Sequence, residues 1–133
     1  MILVDSSVWI DFLAPFPGQG GGELKRMIAE QDRIALAGVV VTEVLQGLTR
    51  DVDRVERYLF MWEMLEPSGF STYREAASIF RLGRAKGVSL TTIDTLIAAI
   101  ALENGAAVFT LDKYFSRIAR IAGLVLHSPP LTS

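Results

Sequence analysis

The chain has 133 residues, half of them hydrophobic and 21% charged, which allows one packed core and excludes disorder as a description of the whole. A formal charge of −2 argues against a protein that holds nucleic acid through a broad cationic surface, so any such chemistry must rest on a local site. The absence of cysteine removes disulfides, thiolate zinc sites and cysteine nucleophiles, and fits a reducing cytoplasm. No secretion signal and no apolar run of the ~20 residues a membrane span needs is read in the chain, so no membrane partner is expected.

The elements follow in chain order. Ile2 to Val4 is a short apolar run that reads as a buried strand, passing through Asp5-Ser6-Ser7 into the helix SVWIDFL. PFPGQGGG is the strongest loop signal, with a mobile rim over a site as its functional reading. ELKRMIAEQ has helical composition, and Arg33 to Ala37 reads as a second strand. Thr42 to Leu48 and Val52 to Leu65 carry helical apolar spacing, the latter at Val55, Leu59, Trp62 and Leu65.

Tyr73 to Lys86 is an amphipathic helix that Gly87 can end, and Thr92 to Glu103 is a nearly all-apolar helix stopped by Asn104-Gly105. Ala107 to Leu111 reads as a strand, Lys113 to Ala122 as a helix, and Leu124 to Leu126 as an edge strand before a Pro-rich tail. Alternating strands and helices predict an α/β protein with a largely parallel central sheet, taken as a single domain over residues 1–133. In such sheets ligands bind beyond the carboxyl ends of the strands.

Asp5, Glu43, Asp94 and Asp112 stand apart as isolated acids in apolar surroundings. Asp51, Asp53, Glu56, Glu63 and Glu75 sit among arginines or on polar faces, where solvation and local pairs explain them. Taken singly, Asp5 or Asp112 is as readily a helix N-cap, and Glu43 and Asp94 more often serve no site. Together they are different. Asp5 and Asp112 follow strands that a parallel sheet aligns, and Glu43 and Asp94 fall in the first turn or so of helices entering from the same edge. Oxygen ligands converging without histidine or cysteine describe a hard-cation site, suited to Mg²⁺ or Mn²⁺. Such an ion supports hydrolysis of phosphate esters, so the four acids are both the metal-ligand and the catalytic candidates.

Other residues take humbler roles. Ser6, Thr92 and Thr110 neighbour the acids and fit caps or supporting hydroxyls. His127, before two prolines, reads as solvent-exposed and without a role. GQGGG lacks the Gly-Lys-Ser/Thr ending of a phosphate loop. Arg50, Arg54 and Arg57 share a helical face and Arg81 and Arg84 another; Asp53 is placed to pair with Arg57, which favours a solvated face over a phosphate stripe. Trp9, Phe12, Tyr58, Met61 and Trp62 read as core.

The segments ILVDSSVWIDFL, VVVTEVLQGL, TTIDTLIAAIAL and AVFTLDKYFSRIA together resemble the PIN-domain nucleases, and within them the VapC-type toxins, over essentially the whole chain. The resemblance carries the family's acids onto Asp5, Glu43, Asp94 and Asp112. It implies a three-layer α/β/α PIN-like fold, Mg²⁺ or Mn²⁺, RNA as substrate, a homodimer, and inhibition by a cognate VapB-like antitoxin. A catalytically silent PIN-like module that binds protein or RNA is the alternative, separated by metal-dependent cleavage. A haloacid-dehalogenase-like phosphatase needs an aspartate where Ser7 stands, and a receiver domain needs a lysine this chain does not place.

Overall fold

The computed structural model describes residues 1–129. Its elements run β1 (Ile2–Val4), α1 (Ser6–Leu13), α2 (Gln19–Ala29), β2 (Ile34–Ala37), α3 (Gly38–Gln46), α4 (Val52–Phe60), β3 (Glu63–Leu65), α5 (Phe70–Ala85), α6 (Thr92–Glu103), β4 (Ala107–Phe109) and α7 (Phe115–Ala122). The four strands form one parallel sheet in the order β3-β2-β1-β4. Helices α1 to α3 pack together as one layer, with α4 against α3, and α5, α6 and α7 pack together as another, giving the three-layer α/β/α arrangement.

The chain moves outward from β1 to β2 and β3, then returns to add β4 on the other side of β1. That reversal places the crevice of the sheet at the carboxyl ends of β1 and β4. The register sets Val4 opposite Phe109, and the Asp5 N–H donates to Phe109 O at 2.9 Å, so Asp5 and Thr110 leave the sheet side by side. Leu3, Val4, Leu36, Val108 and Phe109 are buried, each contributing roughly 1.5–3 kcal/mol by leaving water.

Several boundaries differ from expectation. The glycines of GQGGG form the first turn of α2 instead of a mobile loop. Asp11 is the cause: its Oδ2 accepts the N–H groups of Gly18 and Gly21 at 3.0 and 2.7 Å, capping the helix from α1. The segment Val52 to Leu65 splits, its last residues forming β3 alongside β2, because pairing with a sheet edge outweighs helical spacing in so short a stretch. Met61 is 77% exposed at that break, not core, whereas Trp9 is fully buried and Phe12, Tyr58 and Trp62 pack around it half-buried. Arg54 pairs with Asp51 at 3.6 Å, in place of the expected pair of Arg57 with Asp53. The segment 124–126 makes a single parallel bridge, Leu126 to Val108, and the end of the Pro-rich tail lies outside the described residues. No helix among the described residues is long and apolar enough to cross a membrane.

Candidate active site

The four acids reach the crevice by different routes. Asp5 is the residue on which β1 ends and α1 begins, and it is 5% exposed. It occupies the N-cap position, yet its side chain caps nothing. Its Oδ2 instead accepts from Thr110 Oγ1 at 2.8 Å and from Ser7 Oγ at 3.1 Å, while Oδ1 has only a long contact, 3.5 Å, with Ser6 Oγ. One carboxylate oxygen is thus tied into the structure and the other is left for the crevice.

Glu43 sits in the second turn of α3, deeper than the first turn expected, because that helix already starts at Gly38. Ser6 Oγ donates to its Oε1 at 3.1 Å and so links α3 to the end of β1. Asp94 is in the first turn of α6, where Thr91 Oγ1 accepts its N–H at 3.1 Å; Thr91, not Thr92, supplies the hydroxyl here. Asp112 follows β4. Its Oδ1 accepts the Tyr114 N–H at 2.9 Å in the turn before α7, whose N-cap is Tyr114, so Asp112 is not itself the helix N-cap; its own N–H donates to Thr110 Oγ1 at 3.0 Å.

Burial pushes the Asp94 carboxyl above the ordinary carboxylate range; the Thr91 hydroxyl opposes this, and the charges of Asp112, Asp5 and Glu43 reinforce it. All three other acids therefore lie within electrostatic reach of Asp94. Among the described residues none of the four is in an ion pair, and no three His, Cys, Asp or Glu side chains stand close enough together to hold a metal ion as they are placed. Mutual repulsion opposes closer approach of carboxylates without a countercharge. The donor set is entirely carboxylate and hydroxyl oxygen, which fits a hard divalent cation and not zinc.

Ser7 was not evident from sequence. Its hydroxyl accepts the Leu111 N–H at 3.0 Å while touching Asp5, a role that the D-x-S spacing at the end of a strand could have signalled. His127 was misjudged. Its ring is only 16% exposed, with Nε2 2.8 Å from Oε2 of the buried Glu23. The backbone pairing of the tail to Val108 brings it inward, where the prolines had pointed to solvent.

Comparison with known proteins bears on the fold and the family. The PIN domain family matches residues 2–121. Ribonuclease VapC11 of Mycobacterium tuberculosis is 33% identical over 128 residues, covering 93% of this chain and 96% of that protein. Among solved structures, VapBC2 from Rickettsia felis, bound to a DNA fragment from its promoter, aligns with a TM-score of 0.74 at 20% identity, covering 96% of this chain and 98% of the matched one. VapC20 of M. tuberculosis, described as a sarcin-ricin loop cleaving toxin, aligns with a TM-score of 0.72 at 17% identity, covering 97% and 100%. The fold, the acids at the crevice and these matches lead to one assignment: the chain belongs to the PIN domain family, in its VapC group.

Proposed function

We propose that this protein is an endoribonuclease dependent on Mg²⁺, with Mn²⁺ as a substitute, and the toxin of a VapBC-type pair restrained by a VapB-like antitoxin. The observation that supports the reading is that Asp5, Glu43 and Asp112 all act electrostatically on the part-buried Asp94 carboxyl, with no basic side chain paired to any of the four among the described residues. RNA as the substrate is supported by relatives named as ribonucleases, and the antitoxin partner by the solved VapBC assemblies. The same family reading makes the protein a cytoplasmic homodimer, which sedimentation and cell fractionation test.

Asp5, Glu43, Asp94 and Asp112 would hold the ion. When bound, it supplies a water of lowered pKa and offsets the charge gathering on the phosphate and leaving oxygen. The chain's own part is to position and to hold. Thr110 and Ser7 fix one oxygen of Asp5, Ser6 ties Glu43 to the end of β1, and Thr110 holds the backbone that carries Asp112. Four negative charges also repel an RNA backbone, so substrate approach depends on their neutralisation.

The test is incubation of the purified protein with cellular RNA, with Mg²⁺ or Mn²⁺ and with excess chelator, followed by mapping of the new ends. Cleavage that needs the ion and disappears in Asp94→Asn is expected. Undiminished cleavage in chelator, or in that variant, would overturn the reading.

A further inference from the structure

Thr110 and Asp112 also line a second feature, a cavity of about 330 Å³ between β4, the start of α2 and the start of α7. Its lining is mainly apolar, with Phe109 and Leu126 among the wall residues, and Gln19, Lys113 and His127 are among the residues that contribute polar groups. His127 is fixed there from three directions. Its backbone N–H donates to Val108 O at 2.8 Å, its ring meets Phe109 edge-on with centroids 5.0 Å apart, and Nε2 lies 2.8 Å from Glu23.

Glu23 decides the state of that ring. The hydrogen bond from Arg26 is the largest influence holding its carboxyl below the ordinary range, so near neutrality it is ionised and can only accept. Nε2 must then carry the hydrogen. Nδ1, without a protein partner among the described residues, accepts when the ring is neutral and donates when it is charged.

We propose that this cavity is a nucleobase subsite, holding the base of a nucleotide that flanks the phosphodiester presented to the four acids, with His127 reading the base edge. The proposal rests on the ribonuclease reading. Asp112 belongs to both the cavity and the acid cluster, so an RNA strand lying at one reaches the other through adjacent nucleotides. Lys113 brings a positive charge to the lining, but Asp112 next to it and Glu23 behind His127 are negative, so the charges there give a second phosphate no net attraction. Apolar walls and a fixed imidazole suit a flat neutral ring that is recognised by its edge.

His127 is the only histidine, so its ring signals in a proton NMR spectrum are unambiguous. Titration with the four nucleoside 3′-monophosphates should shift those signals saturably and with unequal affinity among the bases. On a randomised RNA pool the wild type should show a base preference at one position beside the cut. His127→Ala should weaken that preference about five- to tenfold, the value of one hydrogen bond, while cutting persists. Gln19→Ala, on an exposed side chain that does not threaten folding, should weaken it in part.

An unchanged preference in both variants overturns the subsite, as does an equal loss of cutting at every sequence in His127→Ala, which marks a purely structural tie. Cleavage by the wild type with no response of His127 to any nucleotide also overturns it. Selective response of His127 without cleavage of any RNA leaves the subsite standing and overturns the ribonuclease reading instead.

Discussion

Thr110 and Asp5 are joined by a hydrogen bond of 2.8 Å between Oγ1 and Oδ2, and the same hydroxyl accepts the N–H of Asp112 at 3.0 Å. One side chain on the exit of β4 therefore sets the rotamer of one acid and the backbone of another. Its single hydrogen is committed to Asp5 and a lone pair to Asp112, so neither contact can be kept without the oxygen.

Thr110→Val keeps the shape and removes that oxygen. It should cost about 1–3 kcal/mol of stability by stranding the Asp112 N–H, and weaken Mg²⁺ affinity roughly 10- to 100-fold, as loss of a group that orients a ligand does. Thr110→Ser should restore most of both. Chemical unfolding and metal-dependent activity curves on the three proteins check this; a valine variant with unaltered metal dependence would show the hydroxyl to be dispensable.

Asp94→Asn removes the charge that burial and three neighbouring carboxylates make costly. Without metal the variant should melt at a higher temperature than the wild type. It should gain little from added Mg²⁺, whereas the wild type gains through ligand linkage. Cleavage should fall by about two orders of magnitude or more. Thermal scans with and without Mg²⁺ decide the matter, and a variant less stable than the metal-free wild type would contradict the electrostatic account.

Adjacent glycines in α2 should respond in opposite senses to alanine. A Cβ on Gly21 would lie 2.9 Å from both the N and Cα of Phe12, backbone atoms that cannot step aside, so Gly21→Ala should destabilise by about 1–3 kcal/mol. Gly22 faces open space, and Gly22→Ala should stabilise by about 0.5–1 kcal/mol through helix propensity alone. Denaturant midpoints of the two variants give the comparison directly.

Glu23 supplies a pH dependence distinct from the acid cluster. Arg26 first, and His127 after it, hold its carboxyl below the ordinary carboxylate range, against desolvation. The folded state thus binds the proton less readily than the unfolded chain, and the stability this gives is present above about pH 4.5 and lost as pH falls through the lowered value. Glu23→Gln should flatten that acid limb of the stability curve, measured as unfolding midpoints at successive pH values. An identical limb in the variant would assign it to other carboxylates.

What could be read in the sequence was whatever repeats over a full turn or stands out against its neighbours. The apolar run 92–103 gave α6, with its end marked chemically by Asn104 and Gly105, whereas the cap at its start is Thr91 and not the Thr92 read from the sequence. Asp5, Glu43 and Asp94 stood out because no lysine or arginine flanks them closely, and Asp112 because it ends the apolar run AVFTL. Contacts between distant segments could not be read. The glycines of α2 look like a loop until Asp11 reaches across to their N–H groups, and β3 looks helical until β2 offers an edge. His127 acquires its position only when strand pairing to Val108 carries it to Glu23, 104 residues away in sequence.

The sheet's two flanks also offer little to a foreign strand. Along β4, Val108 already exchanges backbone hydrogen bonds with Val125 and His127, at 2.9 and 2.8 Å. The opposite flank is β3, three residues long, with Glu63 clasped by Arg33 at its outset. Neither offers the long bare run of N–H and C=O groups on which a foreign strand could template itself. A partner that docks on the described residues therefore finds its grip chiefly on side-chain surfaces of the helices, and the short edge of β3 gives sheet extension across chains, with its attendant fibrillar hazard, little to build on.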